Sequence, residues 1–569
     1  MLALLAALTV APTPFFHIAM KGGVASFERA GQPLWSFGVD CTDPGESPSK
    51  YDPKNPSYSA LRLYPSEKVW VDDTLAKLRA WHFNSLGGWS DFELFRKHGE
   101  QRIPYFFVLH LGAYDRAPWH DLFAPQMWKA VDGAAKAQIA KVVDDPYLVG
   151  YFTDNELGWW DETLFATYMK MPASSPGKLR LLGLIKRFYK GSFAGFRKDW
   201  NTSASSFEAL GKKSALTLKP GGNGLQLVNA WTYELGRQYY RMVWEAVRRY
   251  DKNHLILGDR YCQYYTLPIV RASKDYIDAV STNYGAEWND GSISRFFLDT
   301  LNQATGKPVI VSEFYMCAME NRSGNKNSSG GFPIVQTQAE RAAGFKHYVE
   351  SVASLPYMLG AHWFQYYDEP EHGRGDGENY NMGLVDTMGR PYEDLVRAAA
   401  SIDFAGLRAH ASRGSAGNMV RMEAFSPDLK NWPRNASFVP SATTLPFGDL
   451  YATWDDGHLN LGLLAMDYMD ESLWPGRRIP ESERSTWRIE IGGLAKPIVV
   501  RFCGDKRKAV CDAPKVEIFE NPGLKHALVV RIPMSVGLHT GQTIELKSQL
   551  TTHGRKEQMV WRKSLRIDK

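Results

Sequence analysis

The sequence predicts an α/β chain built as a (β/α)8 barrel followed by an all-β sandwich. Three observations lead there. Between about residues 22 and 410, short apolar runs alternate with longer helix-patterned stretches, as in parallel strands joined by helical crossovers. Eight such runs can be counted, the strand number of the barrel. Beyond about Ser412 the helical spacing stops, and short alternating strands punctuated by Pro and Gly take over. At 569 residues, 44% hydrophobic and 23% charged, the chain is too apolar to be disordered and long enough for one large and one small domain.

In order, the expected strands are Leu34 to Asp40, Asn84 to Gly88, Tyr105 to His110, Leu148 to Asn155, Leu255 to Asp259, Ala279 to Asn283, Val309 to Glu313 and Leu359 to Gln365. Nearly every one runs from an apolar stretch into polar residues: Asp40, Trp89 with Asp91, His110, Asn155 with Glu156, Asp259 with Arg260, Asn283 with Tyr284, Glu313 and Gln365. In a barrel those ends converge on one mouth, where the active site sits. An enlarged helical section, Asp161 to Tyr250, separates strands four and five, with Phe196, Trp200, Phe207 and Leu210 spaced like the apolar side of packed helices. After strand seven, Asn321 to Gly331 is so rich in Gly, Ser and Asn that it reads as a mobile loop too polar to pack.

The domains read as an N-terminal segment 1–21, a barrel 22–411 and a sandwich 412–569 linked near Arg413 to Gly417. Met1 to Ala11 is too short to span a bilayer and resembles the apolar part of a secretory signal lacking its basic start. Pro12 and Pro14 would break a helix there, which favours export to a secreted or periplasmic location over a buried segment. Expected sandwich strands are Leu459 to Met466, Thr486 to Ile491, Ile498 to Phe502, Lys515 to Phe519 and Ala527 to Ile532. Cys503 and Cys511 would flank a hairpin tip carrying Lys506, Arg507 and Lys508; they either close a small loop or stay free thiols.

A net charge of +5 over so large a surface carries no polyanion-binding signature, so nucleic acid is not implied. No segment qualifies for stable membrane insertion. There is no HExxH and the histidines near the expected mouth are scattered, so neither metal nor cofactor is expected. The 18 Trp and 27 Tyr exceed what a core of this size needs and suit stacking on sugar rings.

Two carboxylates stand out, Glu156 in Gly150-Tyr-Phe-Thr-Asp-Asn-Glu156 and Glu313 in Val309-Ile-Val-Ser-Glu-Phe314, each ending a strand. Cleavage of a glycosidic bond with retention needs one carboxylic acid to protonate the leaving oxygen and a carboxylate about 5 to 5.5 Å away to attack the anomeric carbon. Ends of strands four and seven can face each other across a mouth. A lone Glu after a strand is usually a cap or an ion-pair partner. Two on buried strands, one preceded by an Asn able to hold a sugar 2-hydroxyl, point to catalysis.

Asn155-Glu156 and Glu313 resemble the acid/base and nucleophile stretches of the clan A retaining glycoside hydrolases. Phe37-Gly-Val-Asp40, Asn84 to Asp91, Gly150 to Glu156, His362-Trp-Phe-Gln-Tyr366 and Asp376-Gly-Glu-Asn-Tyr-Asn381 resemble the β-agarase family 50 in particular, over roughly residues 22 to 400. The resemblance implies a (β/α)8 fold and cleavage of β-galactosidic bonds in agarose-type galactans or their oligosaccharides. It makes Trp363 the floor beneath the sugar and has Tyr284 hydrogen-bonding Glu313. Asp40, Trp89, His110, Asn155, Asp259, Arg260, Asn283, Gln365, Glu378 and Asn379 become expected substrate contacts. The C-terminal part resembles family 9 carbohydrate-binding modules through Thr453 to Leu461 and Trp487 to Ile491, although Trp454 reads as core. Another β-linked glycan, or a barrel that binds carbohydrate without turnover, remain alternatives; exo or endo action and oligomeric state are not written in the sequence.

Overall fold

Eight parallel strands form the centre of the computed structural model: Ser36–Val39, Ser85–Leu86, Tyr105–Val108, Leu148–Phe152, Leu255–Ile256, Val280–Asn283, Val309–Phe314 and Met358–Trp363. Residues 14–45, 59–212, 215–327, 333–374, 377–412, 419–438, 447–467, 470–503, 508–521, 525–552 and 558–567 are described. Met1 to Ala11, the expected link and residues Lys506 and Arg507 lie outside them. Each strand falls within or beside an expected run, because apolar β-branched and aromatic stretches of this length are buried on both faces. Neighbours pair in the order five, four, three, two, one, eight, seven, six. The sheet curls, and past the ends of its edge strands Tyr261 bridges Thr282 in parallel, the Tyr261 N–H donating to Ser281 at 3.2 Å.

The amino ends are filled by an apolar cluster containing Phe16, Phe27, Phe106, Phe152, Ile310 and Leu359. Phe16 and Phe27 come from an antiparallel sheet, His17–Lys21, Val24–Arg29 and Gln32–Leu34, folded beneath the parallel one. Residues 17–21, expected in the N-terminal segment, thus form a strand of the folded body. The enlarged section is helical as expected, ending in the 27-residue helix Gly224–Tyr250, with Phe196, Trp200 and Leu210 buried.

The C-terminal residues form a six-stranded sheet, antiparallel except for the short parallel strand Val420–Arg421, and a five-stranded antiparallel sheet, with an apolar core between them that includes Trp454, Leu461, Trp487 and Trp561. Alternation along Gly448–Asp455 sends Leu450, Ala452 and Trp454 into that core, while Tyr451 joins the apolar layer of the α/β part. Trp474 is buried in that same layer, so both Trp residues are packing residues. Polar contacts pin the two parts together. Asp449 accepts from the Arg295 and Phe296 N–H groups that open the helix Arg295–Thr305, at 3.1 and 3.2 Å, and Asp470 and Ser472 bond Thr163. Lys525 pairs with Glu287 and lies 4.8 Å above the Tyr284 ring. Cys503 and Cys511 are not joined in a disulfide.

Candidate active site

The carboxyl ends of the first four strands share one local feature: Cys41 (φ 47°), Trp89 (57°), His110 (50°) and Glu156 (51°) are all left-handed. For residues with a Cβ this costs about 1 kcal/mol or more each. Four consecutive strands bear that cost at the same level, and the turn it forces aims Trp89, His110 and Glu156 across one opening.

At the centre is Arg260, fully buried on the extension of strand five. It donates to Asp40 Oδ2 (2.7 Å), the Ser312 carbonyl (2.7 Å), Glu313 Oε2 (3.1 Å) and Asn155 Oδ1 (3.1 Å). Asn283 Nδ2 reaches both Asn155 Oδ1 and Glu156 Oε1 at 3.0 Å, and its Oδ1 accepts from the Ser312 hydroxyl at 2.9 Å. One hydrogen-bonded chain thus runs from Asp40 through Arg260 to Glu313 and, through Asn155 and Asn283, to Glu156. The carboxylates differ in setting. Glu156 is exposed, whereas the Glu313 side chain keeps only 13% of its surface. Burial pushes the Glu313 carboxyl up to about 8; the Arg260 guanidinium pulls it down, and the neighbouring charges of Glu156, Asp40 and Glu378 raise it. Burial likewise lifts Asp40 to about 7 against the pull of Arg260.

Of the expected contacts, Trp89, His110, Asn155 and Glu378 are partly exposed at the opening or its border, whereas Asn283 is enclosed and reaches it only through its bond to Glu156. Trp89 Nε1 donates to His110 Nε2 at 3.0 Å, which places the imidazole proton on Nδ1, and the Arg260 guanidinium lies 4.2 Å from the Trp89 ring. Burial, and then Arg260, hold the His110 pKa below its ordinary value. Glu378 pairs with Arg374 at 2.9 Å. Gln365 is nearly buried at the end of strand eight.

The expected roles of Tyr284, Trp363, Asp259, Asp40, Arg260 and Asn379, and of the loop after strand seven, are corrected. The Tyr284 side chain faces the helices, stacked on Phe297 at 4.4 Å with its hydroxyl donating to Glu287 at 3.0 Å; only its backbone N–H reaches Glu313, at the carbonyl. Trp363 is enclosed behind strand eight against Phe314, Phe345 and Arg341, so it cannot floor a sugar. Asp259 is also turned outward, accepting from Trp159 at 2.9 Å. Asp40 and Arg260 are too enclosed to touch a sugar and instead support the residues that line the opening. Asn379 joins two loops, its amide donating to the Glu371 carbonyl (3.1 Å) and its oxygen accepting from Asn325 (3.0 Å). The loop it holds is not too polar to pack: Ser323, Asn325 and Asn327 are buried, and Ser323 bonds Asp368 at 2.7 Å. Residues 328–331 of that loop lie outside the described ones.

Sequence reasoning missed Tyr315, Gln263 and Phe364. Gln263 donates to the Tyr315 hydroxyl at 3.1 Å, and the charges of Glu313 and Glu156 both act on that phenol. Phe364 sits edge-on to Trp89 with centroids 6.3 Å apart. Both were within reach of strand alternation: Tyr315 lies two residues beyond Glu313, and Phe364 two beyond His362, whose ring packs inside the sheet against Phe106. Among the described residues, no group of His, Cys, Asp and Glu could hold a metal ion, and no helix is long and apolar enough to cross a membrane.

No family model matches the chain. β-Agarase A of Vibrio sp. (strain JT0107) is 30% identical over 375 residues, 60% of this chain and 36% of that protein. The chain spans about a third of the length of the curated relatives it matches. The crystal structure of the agarase AgWH50C superposes with a TM-score of 0.60 at 23% identity, covering 70% of this chain and 66% of that one. The structure of an exo-β-agarase gives 0.59 at 23%, with the same coverage. The family 9 module likeness of the C-terminal part gains nothing from these relatives. The chain is thus similar, in sequence and in fold, to the β-agarases of glycoside hydrolase family 50.

Proposed function

We propose that this protein is a retaining β-glycoside hydrolase that cleaves β-galactosidic bonds of agarose-type galactans or their oligosaccharides, with Glu313 as nucleophile and Glu156 as acid/base. The observation that carries the reading is the single hydrogen-bonded chain joining a sheltered Glu313 to an exposed Glu156. A nucleophile must be ionised, and Arg260 is the group that favours its charge. An acid that also activates water must meet both leaving oxygen and solvent, and Glu156 is placed for that. Asn155, beside the acid/base, is the residue to hold the 2-hydroxyl.

The reaction needs no cofactor. Glu313 attacks the anomeric carbon while Glu156 gives its proton to the departing oxygen; Glu156 then takes a proton from water, which displaces Glu313 from the sugar. The curled eight-stranded sheet supports a (β/α)8 barrel, the two antiparallel sheets support a sandwich from about residue 412, and the substrate class with the apolar N-terminal stretch supports export. The test is a panel of agarose, porphyran, β-galactan and β-glucan oligosaccharides, with products identified by mass and the first product's anomeric configuration by NMR. Turnover of the agarose series with retention is expected. Turnover of none would make this a binding protein, and turnover of another β-glycan alone would change the substrate but not the chemistry.

A further inference from the structure

Beside the carboxylates the opening carries a row of rings, two of which, Trp89 and His110, the family resemblance already made substrate contacts, while the third, Tyr114, has no part in the mechanism. Trp89 and His110 are joined edge to edge by the Nε1–H to Nε2 bond of 3.0 Å, with planes only 30° apart and centroids at 6.1 Å. The bond holds the two rings side by side as one shallowly bent surface. One face of it is occupied, since the Arg260 guanidinium lies 4.2 Å from the Trp89 ring. Next to His110, at 5.7 Å and tilted by 55°, stands Tyr114, which is 78% exposed and is the most exposed of the large apolar side chains among the described residues. Its ring reaches the surface on a short 3-10 turn, Ala113–Asp115, that strand three feeds directly. That turn is itself anchored, for Asp154 accepts from the Gly112 and Ala113 N–H groups at 2.9 to 3.0 Å. The rings are therefore presented on a braced backbone.

We infer that Trp89, His110 and Tyr114 form an extended binding platform for units of a β-linked polysaccharide beyond the cleaved bond, with Tyr114 receiving a sugar at its outer end. The inference rests on the proposed glycosidase reading. Sugar rings have apolar faces that stack on aromatic planes, and the steps of 6.1 and 5.7 Å between centroids suit successive units of a pyranose chain. The inner end of the row follows from Arg260. The guanidinium beneath the platform is bonded to Glu313, so the sugar that Glu313 attacks is the one adjoining Trp89. Units farther along the row then lie beyond the sugar that is attacked, over His110 and Tyr114.

The experiment measures kcat/KM of the full chain against a series of agarose oligosaccharides of increasing length, and measures the affinities of the same series for Glu313→Gln. Tyr114→Ala should shrink the advantage of long over short substrates by about three- to tenfold, the range of one aromatic stacking contact. Tyr114→Phe should keep that advantage. Because the side chain is exposed, both variants should melt like the parent. Equal losses at every length, or no loss at any, would overturn the platform. If the parent turns over none of the series yet the Glu313→Gln affinities still climb with length and lose that climb in Tyr114→Ala, the platform stands and only the glycosidase reading falls.

Discussion

Replacing Arg260 by Met keeps an apolar stem against Trp89 and removes the charge that Glu313, Asp40 and Asn155 share. At 3.1 Å from Glu313, and with an effective dielectric constant of about 20, the lost attraction is ~5 kcal/mol before water enters to screen it. Measured carboxylate–arginine pairs move a pKa by about 1–3. The acid limb of the kcat/KM profile, where Glu313 must lose its proton, should therefore move to higher pH by about one to three pH units, with about 10- to 1000-fold less activity on that limb. Stability carries a second signature. Asp40 is raised to about 7 in the folded protein, so its proton favours folding: the contribution is complete below the unfolded carboxylate pKa and is lost as pH climbs through about 7. Without Arg260 the unpaired Asp40 raises the cost of ionisation, about 3–5 kcal/mol for a broken buried pair, and the variant should lose most stability near pH 8 and least near pH 5. The assays are pH–rate profiles and melting curves at both pH values. Arg260→Lys, which keeps a charge but not the fork, should recover part of each effect. An acid limb that stays in place in Arg260→Met would refute the claim that Arg260 favours the charged nucleophile.

Gly87→Ala would place a Cβ 1.8 Å from Asp40 Oδ1 and 3.1 Å from the Asp40 nitrogen, so it should displace Asp40 and lower both melting temperature and kcat. Trp363→Phe should lower the melting temperature by leaving space against Phe314 and Phe345, with no selective rise in KM; a large KM effect with parental stability would restore the floor role denied to it above. Removing residues 412–569 should destabilise the chain and lower activity on short and polymeric substrates together, because Tyr451, Leu464, Met466 and Val529 lie in the apolar layer of the α/β part. A truncated protein with unchanged melting temperature and unchanged turnover of short oligosaccharides would contradict this.

The positions of the strands were legible because each is an apolar run ending in polar residues, and the placement of Glu156 and Glu313 at strand ends was legible for the same reason. Side-chain direction was read less well. Adjacent residues on a strand face opposite ways, so Asn283 and Tyr284 could not both enter the opening, nor could Asp259 with Arg260; the structure turns Asn283 and Arg260 inward and their neighbours to the helices. The same parity denies Trp363 a place over the sugar. Leaving Tyr114 out had another cause: it lies on no strand, and only the left-handed turn at His110 brings it beside the platform. The loop after strand seven looked unpackable because its residues are polar, yet Asn325 and Asn327 are buried by bonding to backbone and to other amides, which composition alone does not reveal.

The central claim is that Glu313 forms a covalent bond with the sugar. Incubation with a 2-deoxy-2-fluoro-β-galactoside carrying an activated leaving group slows the second displacement more than the first and accumulates the intermediate, which peptide mass spectrometry can locate. With Glu313 as nucleophile, one sugar per chain is expected, attached to the peptide containing Glu313, absent from Glu313→Gln and still formed in Glu156→Gln, because the reagent's activated leaving group needs no proton. A label on any other residue, or a first product of inverted configuration, would contradict it.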